Sequence, residues 1–322
     1  MNENKLICKV LRKEFSRVGW MLTALYGIMN LSLILVMAAL WLVVYLTLLG
    51  NPNLSAAQLQ LLDNAVMDNY SWGYTVAVLL MAIVLVWKQP RLCFKTIWKT
   101  QKPMSLRRFF MILPIFISGQ AFYQLLTPLL EWLFGWMNIS LADSVASATG
   151  SSDSLSMFLY VCLLAPIWEE VLFRGYVLRS LQPYGKKFAI VASAFLFGVF
   201  HGNVVQMPYA FAVGLVLGYV ATEYSVVWAM VLHTINNLLL GDTMGRLLQY
   251  LPAVAQEIIF LVLIWGCTLA AVIILICKRK KVGMYFIKKK IHPLCLKSFF
   301  TSPGIVVFTI LLLGVTTLLL LV

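Results

Sequence analysis

Two adjacent carboxylates, Glu169 and Glu170, a guanidinium four residues on at Arg174, and two imidazoles, His201 and His233, stand inside stretches that are otherwise almost wholly apolar. Asn236 and Asn237 follow His233 closely, and Glu131 lies upstream. Ionisable groups in a membrane-spanning segment are costly unless they are paired or line a wet cavity, so such residues are functional by default. Glutamate and histidine together can move protons near neutral pH, and imidazole and amide groups can donate to a developing negative charge. Helical spacing sorts these residues further. Glu170 and Arg174 share a face in the order that suits an ion pair. Glu169 is turned by about 100° from Glu170 and is left free for chemistry. His233 and Asn237 share another face and can aim donors at one point. Phe197, four residues before His201, can pack on its ring, and Pro166 removes a backbone donor just before the acidic pair, which should distort that helix.

The elements that must position these groups are transmembrane helices. Of the 322 residues 61% are hydrophobic and only 11% charged, which excludes an ordinary soluble domain and makes the bilayer the solvent. Apolar windows predict about nine spans, near residues 20–49, 72–87, 109–134, 155–181, 187–206, 207–222, 226–241, 254–277 and 303–322. The fold class expected is therefore all-α, a polytopic helix bundle. Its divisions are an amphipathic segment 1–18 lying on the inner leaflet, a membrane domain 19–278, a basic loop 279–301 and a last span 302–322. The first apolar stretch is too long for a signal-peptide core and lacks a small-residue cleavage site, so it is expected to be retained.

The net charge of +13 does not point to nucleic acid, because Lys and Arg cluster beside hydrophobic runs. They read as topology signals and as contacts to anionic lipid at the cytoplasmic face. Lys5 to Arg17, Lys88 to Arg108, Arg179 to Lys187 and Lys278 to Lys297 mark inner segments, whereas residues 50–71 and 135–155 contain no Lys or Arg. A cell-membrane protein with a cytoplasmic N-terminus satisfies this pattern. Glu131, beside Trp132 and Trp136, belongs to an interfacial aromatic belt. The cysteines at 8, 93, 162, 267, 277 and 295 show no CxxC spacing, so neither a disulfide framework nor a cysteine zinc site is indicated.

Counting residues from the inner turn at 182–187 places Glu169 and His201 each about 20 Å deep, and counting from Glu223 places His233 about 15 Å deep. Three spans thus present Glu, His and His in one layer, which allows a single site.

Pro166-Ile-Trp-Glu-Glu-Val-Leu-Phe-Arg-Gly175 resembles the EExxxR motif of the CAAX protease and bacteriocin-processing family, also called the Abi or CPBP family, which includes the type II CAAX prenyl endopeptidases. Phe197 to His201 matches its FxxxH motif and His233 to Asn237 its HxxxN motif. Together, in order and on separate spans, they are specific, although they cover only 166–237. The resemblance implies an eight-helix protease core and an intramembrane endopeptidase acting on a peptide or a membrane-anchored protein, with a site open to the cytoplasmic side. It implies Glu169 as general base on a water, helped by His201, with His233 and Asn237 stabilising the oxyanion and Arg174 orienting Glu170. Processing of, or immunity to, bacteriocin-like peptides belongs to the same expectation.

Glu169, His201 and His233 could instead ligate zinc. HExxH is absent and Asn is a poor zinc ligand, so a metal-independent route with no cofactor is favoured. No GxSG or GxGD stretch supports a serine or aspartyl intramembrane protease. The principal alternative is a non-catalytic immunity or regulatory scaffold in which the same residues hold spans together. A transporter fits less well, because no paired repeats are visible.

Overall fold

The computed structural model describes residues 3–51, 53–149, 154–287 and 290–321. No strand occurs among them, as expected where long apolar runs must satisfy every backbone N–H and C=O internally. The helices are α1 (Glu3–Gly50), α2 (Ala56–Asn69), α3 (Trp72–Lys88), α4 (Leu106–Ile117), α5 (Gly119–Gly135), α6 (Ala142–Thr149), α7 (Leu155–Leu159), α8 (Ala165–Glu170), α9 (Leu178–Leu181), α10 (Lys186–Phe200), α11 (Gln206–Glu223), α12 (Val226–Asn236), α13 (Met244–Leu248), α14 (Ala253–Cys277), α15 (Arg279–Ile287), α16 (Pro293–Phe300) and α17 (Pro303–Leu321). The chain is a polytopic all-α bundle.

Each of the nine predicted spans contains helix. Among the described residues, six helical stretches are long and apolar enough to cross a membrane: Glu3–Gly50, Ala56–Lys88, Leu106–Gly135, Leu155–Tyr184, Ala253–Cys277 and Pro303–Leu321. The other three, α10, α11 and α12, fall short in length or hydropathy. They are the helices that the fold surrounds. α10 and α11 form a close hairpin, α11 and α12 pack together, and α12 packs on α8.

Three boundaries differ from the sequence reading. Residues 5–18 do not form a separate helix on the leaflet; they begin the uninterrupted 48-residue α1, about 72 Å long at 1.5 Å per residue. The reason is that Leu11, Phe15 and Val18 are buried by protein. Phe15 meets the rings of Tyr184, Phe188 and Phe299 at 5.0, 5.2 and 6.0 Å. The segment 279–301 is not merely a basic loop, since it contains α15 and α16, and Cys295, Ser298 and Phe299 of α16 are buried. The span predicted to reach residue 206 ends at Phe200, where Gly202 adopts a φ of +60° and reverses the chain. Asn203 ties that reversal to α6, donating to the Ser144 carbonyl and the Ser147 hydroxyl at 2.8 and 3.0 Å.

α17 returns against α1 at a pair of glycines. The Gly304 amide donates to Ser16 Oγ at 2.8 Å, and a Cβ on Gly19 or Gly304 would collide with the backbone of the facing helix. Small residues are what let two apolar helices approach this closely.

Candidate active site

The Leu155–Tyr184 rod is not a uniform helix. Widened π-turns at Tyr160–Leu164 and Val171–Val177 bracket α8, which carries Pro166, Glu169 and Glu170. Pro166 cannot donate a backbone bond, and the first π-turn ends directly ahead of it, so the distortion expected there takes this form. Carbonyls in both turns are taken up by neighbouring helices. Ser193 Oγ donates to the Phe173 carbonyl at 2.8 Å, and Asn237 Nδ2 donates to the Val161 carbonyl at 3.0 Å.

Glu170 and Arg174 are completely buried and joined at 2.9 Å, the pair that their spacing suggests. The second guanidinium nitrogen reaches the Gly214 carbonyl at 3.3 Å, while the guanidinium lies over the Phe197 ring at 4.2 Å from its centre. Gly214 makes room for this: a Cβ there would stand 3.2 Å from both the Arg174 Nη2 atom and the Phe197 ring.

Glu170 holds a second partner. His233 Nδ1 lies 3.0 Å from the same Oε1 atom, and since a carboxylate only accepts, the proton sits on Nδ1. The opposite nitrogen of that ring, Nε2, faces Glu169 Oε2 at 3.8 Å. This is longer than a hydrogen bond, which leaves room for a water within reach of both atoms. The two carboxylates therefore differ sharply: Glu170 is sealed, whereas the Glu169 side chain is 19% exposed.

His201 closes α10, where its Nδ1 meets the Phe197 carbonyl at 2.8 Å, leaving Nε2 as an acceptor. Its ring stands edge-on to Phe197 at 4.8 Å, and the His233 ring stands edge-on to the same phenyl at 5.8 Å. Phe197 is thus the common wall of Arg174, His201 and His233. Its motif spacing shows only the contact with His201.

The donors of His233 and Asn237 do not meet at one point. His233 donates to Glu170, and Asn237 donates to Val161 while its Oδ1 accepts from Asn236 Nδ2 at 3.1 Å. Asn236 continues into a network absent from the sequence reading. Gln120 Nε2 donates to Tyr209 Oη at 2.7 Å, and both Gln120 and Tyr209 lie 3.2 Å from Asn236 Oδ1. An amide at position 120, within the apolar 109–134 run, is the signal that could have found it. Tyr160 was also missed; it stacks on Tyr74 at 4.8 Å and lies within Coulombic reach of Glu169.

No three His, Cys, Asp or Glu groups are placed to hold a metal ion among the described residues. His201 and His233 both pack against Phe197, each with Nδ1 engaged by a protein oxygen. Glu131 is exposed beside the Trp132 and Trp136 rings, and His292 is exposed, its Nδ1 accepting from the Leu294 amide to cap α16.

A bundle of membrane-length helices around short inner helices that carry a buried glutamate–arginine pair with a histidine beside it defines a multi-pass membrane protein with a polar intramembrane site. Residues 151–239 match the family model for type II CAAX prenyl endopeptidase Rce1-like proteins, and this stretch contains all three motifs. The chain is also 27% identical over 187 residues to the UPF0177 protein YxdF of Lactococcus lactis subsp. lactis (strain IL1403), covering 54% of this chain and 98% of that protein. No solved structure matches.

Proposed function

We propose that the chain is an intramembrane endopeptidase that hydrolyses a peptide bond in a peptide or membrane-associated protein, with Glu169 as the base that activates water. The observation that carries this reading is the position of His233 between two unlike carboxylates, 3.0 Å from Glu170 and 3.8 Å from Glu169. Arg174 holds Glu170 in place, Glu170 fixes the tautomer and angle of His233, and the Nε2 edge of His233 and the partly exposed Glu169 face a common point. A water there loses its proton to Glu169 as it attacks the substrate carbonyl, and that proton later passes to the departing amine.

His201, packed on Phe197 with Nδ1 held by the Phe197 carbonyl, assists through Nε2 by accepting or relaying that proton. In the arrangement described, Asn237 supports the site by holding the π-turn at Val161 rather than by reaching the reacting atoms directly. Its role with His233 at the oxyanion follows if substrate binding draws its second N–H inward. The route uses no metal. The name of the matching family supports a substrate class of C-terminally lipidated chains, and the apolar surroundings of Glu169 favour a substrate that is itself membrane-anchored. The charge alternation of its loops supports a location in the cell membrane with the basic N-terminal end in the cytoplasm.

The experiment compares peptides released from membranes containing wild type with those from membranes containing Glu169→Ala, followed by cleavage of the differing peptide in liposomes. A loss of about 10²–10⁴-fold with an unchanged unfolding temperature is expected. Equal cleavage by both proteins overturns the assignment. One observation favours a second reading, a non-catalytic immunity or regulatory scaffold: Arg174, Glu170, His233 and Asn237 all make bonds that join helices. Cellular function that persists in full in folded Glu169→Gln and His201→Ala variants would select it.

A further inference from the structure

Beyond the peptidase site, and independent of it, the start of α1 and α16 enclose a cleft of about 1050 Å³ lined by Lys5, Lys9, Arg12, Lys13, Arg17 and Lys297. Among the described residues no carboxylate lines it. Arg12 is held to the Thr301 carbonyl at 2.9 Å, and Arg17 pairs with Glu14 at 2.7 Å on the helix surface. Lys9, Lys13 and Lys297 have no carboxylate partner among the described residues. Cations gathered without a counter-charge repel one another, so an anion seated among them is stabilised. Ser298 adds a second, independent pointer to a ligand. It lies at the floor of this cleft, fully buried, and its hydroxyl has no hydrogen-bond partner.

We infer that this cleft binds the phosphate headgroup of one anionic phospholipid. Its level in the fold decides for lipid over a free ion. Trp20, about half exposed, forms one wall, and Pro303, where the apolar α17 begins, forms another. Tryptophan at such a boundary marks the depth of the headgroups. Past this rim α1 and α17 continue as outward-facing apolar surface, with Leu31, Ile34, Ile310 and Leu313 exposed, against which acyl chains lie. Lys9, Lys13 and Lys297 supply the charge, and the Ser298 hydroxyl donates to a phosphate oxygen.

The test uses the full-length protein in a neutral detergent, titrated with phosphatidylglycerol or phosphatidylcholine and read by native mass spectrometry. Wild type is expected to bind one phosphatidylglycerol well ahead of phosphatidylcholine. The Lys9→Gln, Lys13→Gln, Lys297→Gln triple variant is expected to lose at least about tenfold in affinity for phosphatidylglycerol alone. The corresponding Lys→Arg triple variant keeps it, and Ser298→Ala weakens it by a few-fold. A measurement on wild type alone guards against variants that fail to fold: phosphatidylglycerol should raise its unfolding temperature and phosphatidylcholine should not. Equal binding by wild type and the glutamine variant overturns the inference, as does absence of a lipid preference in wild type. So does displacement of the lipid by equimolar inorganic phosphate, which would mean an adventitious ion only, or by a short RNA, which would mean a nucleic-acid surface.

Discussion

α1, α14 and α17 on the outside and the stretch from Leu155 to Leu248 on the inside are built from much the same apolar residues, yet they fold differently. The outer helices run unbroken for 48, 25 and 19 residues and leave leucine, isoleucine and valine side chains outward. Their close contacts rest on small residues, as at Gly19 and Gly304. The inner stretch is broken by three π-turns and holds its pieces together through buried polar groups. Lipid requires a helix to close all its own hydrogen bonds, whereas a helix surrounded by protein can open them, because neighbours supply donors and acceptors. Irregular backbone and buried charge thus go together in the shielded stretch: among the described residues Glu170, Arg174, Arg179 and His233 are all buried there, whereas the charges of α1 are at its exposed end.

The sharpest way to break this comparison is to remove a charge on each side of it. Arg174→Ala leaves the buried Glu170 without its guanidinium and with His233 alone beside it, and should cost about 3–5 kcal/mol, whereas Lys88→Ala at the exposed end of α3 should stay within about 0.5 kcal/mol. Unfolding in detergent measures both, and similar losses would refute the distinction. Next in size is the outer contact. Gly304→Val should cost about 1–3 kcal/mol by forcing α1 and α17 apart, while Glu169-dependent cleavage by the protein that remains folded is unaffected. A parallel loss of activity would show that the two layers are mechanically coupled.

Smaller again is Gln120→Leu, which strips the donor from Tyr209 and Asn236 and should lower stability by about 1–2 kcal/mol. The smallest effect belongs to Glu223, one residue past the predicted span 207–222, which pairs with Lys102 and Lys186 at 2.7 and 3.0 Å. Burial opposes its ionisation, but the hydrogen bonds and charges of the two lysines outweigh burial and hold its carboxyl below the ordinary value. Its contribution is therefore present above the unfolded-state value and is lost as pH falls through the lower folded-state value. Glu223→Gln should cost about 0.2–1 kcal/mol at neutral pH and nothing at a pH well below the carboxylate range, as read from unfolding curves at both.

Much of the inner stretch was legible from spacing alone. A spacing of four between Glu170 and Arg174 suffices for an ion pair on any helix, and counting from shared turns put Glu169, His201 and His233 in one layer; His201 and His233 both meet Phe197, and Glu169 faces His233. The partner of His233 was not legible. Which carboxylate meets it depends on rotation about the rod, and each π-turn resets that phase in a way that hydropathy does not record. Gln120 and Tyr209 escaped because a single amide or phenol in an apolar run looks unremarkable until its partners are known. The continuity of α1 escaped because the apolar face of residues 5–18 suits a lipid surface and a protein surface equally well; only the presence of α16 and α17 decides between them.

The π-turn at Val171–Val177 has a consequence for insertions and deletions. Relative to an ordinary helix it accommodates one additional residue, so everything beyond it is rotated by about 100°. Arg179, which donates to the Ala221 carbonyl at 3.1 Å, owes its bearing to that offset. Losing any one residue between 171 and 177 would leave an equally apolar, more regular rod whose far end faces the wrong neighbour. In this segment the number of residues matters as much as their identity.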